Sequence, residues 1–339
     1  MKQYQNTLYI TTQGAYLSKD GECIAIHHDG NLKGKIPSHT LGGLVLFGRI
    51  SCSPFLLGHC AEKGITISWL TENGRFLAAM NGPVTGNVLL RTEQYKQSND
   101  LQRCASIAKS ICIGKIYNSR VILQRTARSH PSPILKNACF SLGQSLIQLK
   151  NELPLDTIRG IEGKAAQIYF GVFQHLLHDK NSDFIFKSRS RRPPLDEVNC
   201  LLSFCYTLLT HDIRGALESV GLDPAVGYLH RLRPGRPALA LDLIEEFRAY
   251  IADRLVCTLI NRGQVKKNQF RKTESGAVIM REDLLKFILQ EWQKRKQETI
   301  IHPFLNEKMP INLIFHTQAR LLAATIRGDY DQYPPFTVR

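Results

Sequence analysis

The chain has 339 residues, 43% apolar and 22% charged. That is length for about two domains with buried cores. The composition is too ordinary for a disordered chain, a collagen or a small disulfide scaffold. Lysine and arginine number 44 against 29 acids, giving a net charge of +15 and a pI near 9.5. Such an excess points to a polyanion: nucleic acid, an anionic membrane face or a phosphorylated substrate. The excess is uneven. Residues 1–86 hold 7 basic and 5 acidic side chains, and residues 87–339 hold 37 and 24. A generally basic, solubilising surface accounts for the total but not for the local clusters.

In chain order, the first 80 or so residues read as strands. Thr7-Leu-Tyr-Ile-Thr, Glu22-Cys-Ile-Ala-Ile, Gly43-Leu-Val-Leu-Phe, Ile65-Thr-Ile-Ser-Trp and Arg75-Phe-Leu-Ala-Ala are short and rich in β-branched and aromatic residues. Turn residues such as Lys19-Asp20-Gly21 and Glu72-Asn73-Gly74 separate them. One helix is predicted at 53–63, with Ser53 as N-cap and Pro54 in its first turn. From Val88 the period becomes helical, and His130-Pro131-Ser132-Pro133 stops the first run. Helices are predicted at about 134–151, 156–178, 195–220, 240–262 and 282–298. The fold class is therefore α+β and multidomain. A small N-terminal β-sandwich or roll (1–82) is followed by a linker (83–89) and a larger all-α catalytic domain (90–325). The tail, 326–339, reads as extended and mobile.

The nine cysteines include no C-x-x-C pair, and Cys200, Cys205 and Cys257 sit in apolar runs where a free thiol packs as a small hydrophobe. Met1 to Gly14 lack a signal peptide's apolar core, and no apolar run approaches the ~20 residues that span a bilayer. A cytoplasmic protein is expected. Phosphate-loop, dinucleotide, zinc-protease and lipase-type motifs are absent from the sequence.

Three segments carry chemistry. In Arg159-Gly-Ile-Glu162-Gly163, an acid lies between Gly160 and Gly163 in a helical pattern. Each such glycine costs about 1 kcal/mol relative to Ala, so something comes close there: a neighbouring helix, or a metal with a phosphate backbone. In Gly221-Leu-Asp-Pro-Ala-Val-Gly-Tyr-Leu-His230, a loop delivers a histidine that is either structural or a ligand. In Leu241-Asp242-Leu-Ile-Glu245-Glu246-Phe, the apolar stripe is Ile244, Phe247, Ile251 and Leu255, and the acids fall on the other side. Acids in a first helical turn are favoured by the macrodipole and usually face water. Yet Asp242 and Glu245, one turn apart, can also converge on one ion. Gathered together, one imidazole and two or three carboxylates suit Mg²⁺ or Mn²⁺ better than structural zinc. Arg231, Arg233 and Arg236 lie beside them.

Two further basic clusters suggest a nucleic-acid track. Lys187-Ser-Arg189-Ser-Arg191-Arg192 sets four cations in six residues. Residues 262–272 hold five cations and no acid, among them Lys266, Lys267, Arg271 and Lys272. Both read as loops that follow a phosphate backbone or simply face water.

In this order and spacing, Arg159-Gly-Ile-Glu162-Gly, Arg192-Pro-Pro-Leu-Asp-Glu-Val-Asn199, Gly221-Leu-Asp-Pro, Leu229-His230, Gly235-Arg236 and Leu241-Asp242-Leu-Ile-Glu245-Glu246-Phe-Arg248 resemble the CRISPR-associated spacer-acquisition integrase family over essentially the whole length. The opening Thr7-Leu-Tyr-Ile-Thr-Thr-Gln-Gly-Ala-Tyr and closing Tyr-Pro-Pro-Phe look like the compact type I-C branch. The resemblance implies metal ligands at Glu162, His230 and Glu245, a further site acid at Asp242, a supporting Glu246 and a phosphate-holding Arg236. It implies a Mg²⁺- or Mn²⁺-dependent endonuclease and integrase, in which a 3′-hydroxyl of captured double-stranded DNA attacks a phosphodiester at the CRISPR repeat. It also implies a homodimer through the β domain, a small ferredoxin-like second adaptation protein as partner, and an iron–sulfur nuclease that trims the DNA. A stand-alone nuclease acting on branched DNA and a non-catalytic DNA-binding scaffold are the competing readings.

Overall fold

The computed structural model describes residues 6–72, 74, 76–80, 82, 88–178 and 184–338. Residues 83–87 of the expected linker, and Arg75 of the expected fifth strand, lie outside them.

The N-terminal region is two four-stranded sheets face to face. Its strands are β1 (Asn6–Ile10), β2 (Tyr16–Asp20), β3 (Cys23–His28), β4 (Asn31–Pro37), β5 (Leu41–Phe47), β6 (Ser51–Cys52), β7 (Thr66–Leu70) and β8 (Phe76–Met80). One sheet runs β1-β5-β7-β8 and the other β4-β3-β2-β6. β1, β5 and β7 are parallel, and helix α1 (Pro54–Glu62) crosses over between the sheets. Ser53 caps α1 as expected, its hydroxyl accepting from Leu56 N. The strand β4, not expected from sequence, pairs with β3 through Asp29-Gly30, both at positive φ as a type I′ hairpin turn requires. β2 and β6 are likewise additions.

β5 explains the position of this region. Leu44 and Leu46 point into the sandwich with Ile24 and Ile67, whereas Val45 and Phe47 point into the helical core. Phe47 and Phe204 have ring centroids 6.0 Å apart. Burial on both faces is why Gly43–Phe47 is continuously apolar rather than alternating.

The helical region comprises α2 (Val88–Ser98), α3 (Leu101–Ser129), α4 (Pro133–Gln148), α5 (Leu155–Gly171), α6 (Glu197–Ser219), α7 (Ala238–Phe247), α8 (Arg254–Asn261), α9 (Glu282–Gln297) and α10 (Ile311–Arg327). Asp100 divides the first predicted run by accepting from the amides of Gln102 and Arg103 as the N-cap of α3. A π-helical segment, Arg248–Asp253, joins α7 to α8. Helix α10 was not anticipated. Two short hairpins also interrupt the helices, β9 (Phe270–Lys272) with β10 (Val278–Met280) and β11 (Thr299–Ile301) with β12 (Lys308–Pro310). α3 is the central rod, packed by α4, α5 and α7.

The tail corrects an expectation. It is irregular, but Tyr333, Phe336 and Val338 are buried, so it is anchored rather than mobile. No helix among the described residues is long and apolar enough to cross a membrane. All nine cysteines are free, and seven are buried.

Candidate active site

The site forms where α3, α5, α7 and the 221–237 loop meet. Asp242 is fully buried in the middle of α7. Its Oδ2 accepts from the amides of Tyr228 (2.6 Å) and Leu229 (2.9 Å), and its Oδ1 from the His230 amide (2.8 Å). His230 Nδ1 lies 2.6 Å from the same Oδ1. Gly227 permits this wrapping: a Cβ there would stand 2.6 Å from Asp242 Oδ2 and 2.7 Å from the Ala238 carbonyl carbon. Both carboxylate oxygens are thus engaged by the loop. Asp242 fixes the loop and the imidazole, leaving Nε2 of His230 as the ring atom available to a ligand.

Glu245 lies one turn further on, and Glu162 faces it from α5. Lys115 of α3 pairs with both. Its Nζ is 2.7 Å from Glu245 Oε2 and bonds Glu162 Oε1 directly. Arg248 holds the other Glu245 oxygen at 2.7 Å. Burial alone would push the Glu245 carboxyl up; Arg248, Lys115 and His230 together outweigh it and bring the pKa down to about 2. Burial likewise opposes the Lys115 ammonium, and Glu245 and Glu162 overcome it and raise the lysine above its ordinary value.

These facts test the expectations. The acids of α7 do not face water: Asp242, Glu245 and Glu246 are all buried. Over Gly160 and Gly163 the space is open, with no heavy atom within 4 Å of a hypothetical Cβ. No neighbouring helix packs there, so the face beside Glu162, whose side chain is 25% exposed, is accessible. Among the described residues no three histidine, cysteine or carboxylate side chains form a ready metal cage. The donor set nevertheless fits a hard divalent cation. Two carboxylates already converge on one ammonium, and an imidazole oriented by Asp242 stands beside them.

His230 and Arg248 open onto a cleft of about 3080 Å³ between the β region and the helices. Arg189, Arg191, Arg192, Arg233 and Arg236 also line it, bringing together two clusters that are about 40 residues apart in sequence. Arg236 is held below its ordinary value, by burial first and then by Arg233. Arg231 is exposed beside Asp156 and does not line the cleft. Arg189 turns inward. It donates to Asn199 Oδ1 (2.6 Å) and Ser203 Oγ (3.0 Å) and lies 5.3 Å from the Tyr206 ring centroid. Lys266, Lys267, Arg271 and Lys272 are exposed, but none lines the cleft.

Sequence reasoning missed Lys115 and gave Arg248 no role. A lysine inside Ile111-Cys-Ile-Gly-Lys115-Ile, on a buried stripe of α3, was the available signal.

Residues 8–294 match the family model of CRISPR associated protein Cas1. The chain belongs to this family. It is 55% identical over 343 residues to a CRISPR-associated endonuclease of Chlorobaculum tepidum, with 100% of both chains covered. Full-length identity at that level makes this Cas1 family member an enzyme of the same class, a CRISPR-associated endonuclease. Three solved structures share the fold. A CAS1 protein from Thermotoga maritima superposes with a TM-score of 0.83 at 20% identity, covering 96% of this chain and 97% of that one. A casposase bound to integration product gives 0.83 at 23%, covering 97% and 92%. A chain of a Cas6-RT-Cas1–Cas2 complex gives 0.82 at 23%, covering 99% of this chain and 36% of that one.

Proposed function

We propose that this chain is the DNA integrase of CRISPR adaptation, joining a DNA 3′-hydroxyl to a phosphodiester at the repeat and cutting DNA when water replaces the hydroxyl. One observation carries the reading: Glu162 and Glu245 converge on Lys115 beside an imidazole that Asp242 orients, and that imidazole lines the arginine-rich cleft.

Glu162, Glu245 and His230 Nε2 would hold a Mg²⁺ or Mn²⁺ ion. When bound, it polarises the scissile phosphate and acidifies the attacking hydroxyl. The remaining steps belong to the protein's own residues. Asp242 fixes the His230 tautomer by accepting from Nδ1 and sets its direction. Asp242 therefore acts through His230 rather than as a ligand. Arg248 keeps Glu245 ionised and aimed. Arg236, Arg233, Arg191 and Arg192 bind the phosphates on either side of the reacting bond, without reading sequence. Arg231, Lys266, Lys267, Arg271 and Lys272 are outer contacts that extend the track, whereas Arg189 supports the cleft wall instead.

The double-stranded DNA substrate, the homodimer through the β region, the small ferredoxin-like second adaptation protein and the iron–sulfur nuclease are the partners of this reading. The Cas1–Cas2 complex and the casposase with its product favour the DNA and the second protein. Placement in the compact type I-C branch rests on Thr7–Tyr16 and Tyr333–Phe336. The test is metal-dependent joining of labelled duplex DNA to a plasmid bearing a repeat. Nicking without joining, with the second protein present, favours a stand-alone nuclease. No metal-dependent product leaves a DNA-binding scaffold.

A further inference from the structure

Glu246 stands next to Glu245 but faces away from the cleft. It is fully buried, and the partners of its carboxylate belong to the end of the chain or to α10. Its Oε2 accepts from the Phe336 amide (2.7 Å), Gln318 Nε2 (3.1 Å) and the Tyr333 hydroxyl (3.3 Å). Its own carbonyl accepts from Asn118 Nδ2 (2.7 Å), which also donates to the Phe336 carbonyl (2.8 Å). Asn118 Oδ1 closes the ring by accepting from the Val338 amide (2.8 Å). The Phe336 ring stacks on Phe247, centroids 5.0 Å apart. α3 comes close enough that a Cβ on Gly114 would lie 3.1 Å from both Glu246 Cγ and Pro335 Cβ.

This strap grips α7 at its last turn, immediately before the π-helical segment interrupts the regular ladder. At 100° per residue, the rotation of α7 that aims Glu245 at Lys115 is the rotation that aims Glu246 at Phe336. None of residues 333–338 lines the cleft, so direct contact with DNA does not explain the strap.

We infer that Glu246 is a positioning residue, and that residues 333–338 form a C-terminal strap which locks the rotation of α7 so that Glu245 meets Glu162 and His230. The inference rests on the integrase reading for its rate measurement, and on cation binding independently of it.

The experiment compares wild type, Glu246→Gln, Glu246→Leu and a chain ending at Gln332. Single-turnover strand transfer at saturating DNA, DNA affinity, and Mn²⁺ affinity by calorimetry are read on each. Glu246→Gln keeps an acceptor for the Phe336 amide and should stay within about twofold of wild type. Glu246→Leu and the shortened chain should lose about 10-fold or more in rate and in Mn²⁺ affinity, as supporting partners of metal ligands do, with DNA affinity unchanged. A peptide of residues 329–339 added to the shortened chain should restore its rate. If the shortened chain does not fold, Glu246→Leu, which keeps the tail, carries the same comparison. A wild-type rate in both Glu246→Leu and the shortened chain overturns the strap. So does a peptide that restores the melting temperature but not the rate. Glu246→Gln as inactive as Glu246→Leu assigns Glu246 to the reaction itself and overturns positioning. Wild type that binds Mn²⁺ without joining DNA overturns the integrase reading alone, and the Mn²⁺ affinities then decide the strap. Wild type that does neither overturns both.

Discussion

Two buried lysine–carboxylate clusters differ in how the lysine is shared and in how open they are to solvent. At the junction of the β region with the helices, Asp212 accepts from Lys296 Nζ (2.9 Å), Trp292 Nε1 (3.0 Å) and Thr7 Oγ1 (3.4 Å). One acid meets one lysine, and both carboxylate oxygens are satisfied. At the active site, Lys115 is shared between two acids, and Glu162 is partly open to solvent. Satisfied buried polar groups rigidify a fold. A cluster in which two acids share one lysine and one face stays open is arranged to receive something further. Identical residue types therefore give a rivet in one place and a reaction centre in the other.

Replacement of the acids separates the two most sharply. Glu162→Gln should lower strand transfer by more than the roughly 10–100-fold typical of a supporting partner, with the melting temperature little changed, as read by a joining assay and calorimetry on one preparation; Glu245→Gln should lower both, because it removes the partner of Lys115 and Arg248. Asp212→Ala should do the reverse of Glu162→Gln. It strands the Lys296 charge and costs about 3–5 kcal/mol of stability, seen as a lower urea midpoint. Should Asp212→Ala abolish joining at full stability, the contrast between the clusters fails.

Asp242→Asn tests the boundary between the two kinds. It keeps one acceptor for the loop amides but weakens the partner of His230 Nδ1. Joining should fall about 10–100-fold, and the melting temperature should fall as well, because the new amide nitrogen faces buried N–H donors.

The arginines divide in the same way. Arg191→Ala with Arg192→Ala should weaken DNA binding and lower the salt slope by about one per residue removed. Arg189→Ala should lower stability and leave that slope unchanged.

The smallest effect concerns His211, which bonds Ser68 Oγ across the junction (3.0 Å). Burial drops its pKa from 6.5 to about 4, and Lys296 and Arg214 push the same way against Asp212. Below pH 6.5 the unfolded chain binds this proton and the folded chain does not. The junction's contribution is therefore full above 6.5 and lost as pH falls towards 4. His211→Gln should flatten the thermal-stability profile over that window.

Five of the eight N-terminal strands and most helices were legible because burial on one face writes a period into the sequence. α7 was not read correctly, because it is buried all round: a helical wheel sorts residues into core and solvent, and Asp242, Glu245 and Glu246 belong to neither. Their partners come from α3, a distant loop and the chain terminus, which spacing cannot register. Gly160 and Gly163 read as a close approach by a helix or by a metal with a phosphate backbone, and no described residue packs over them; Lys115 was hidden inside a stretch that reads as core. The tail misled for a related reason. Tyr-Pro-Pro-Phe carries no period, so its anchoring to Asn118 and Glu246 was invisible.

The central claim is that the Glu162–Glu245 cation site drives the joining of DNA ends. Its most direct test is the transfer of labelled duplex DNA with free 3′-hydroxyls to a plasmid bearing a repeat. The reaction is run with Mn²⁺, with Mg²⁺ and with chelator, with the second adaptation protein present, and with Glu162→Ala in parallel. Label joined to the plasmid only when divalent metal is present, and lost in Glu162→Ala, is the predicted result. Joining that survives either the chelator or the Glu162→Ala substitution would contradict it.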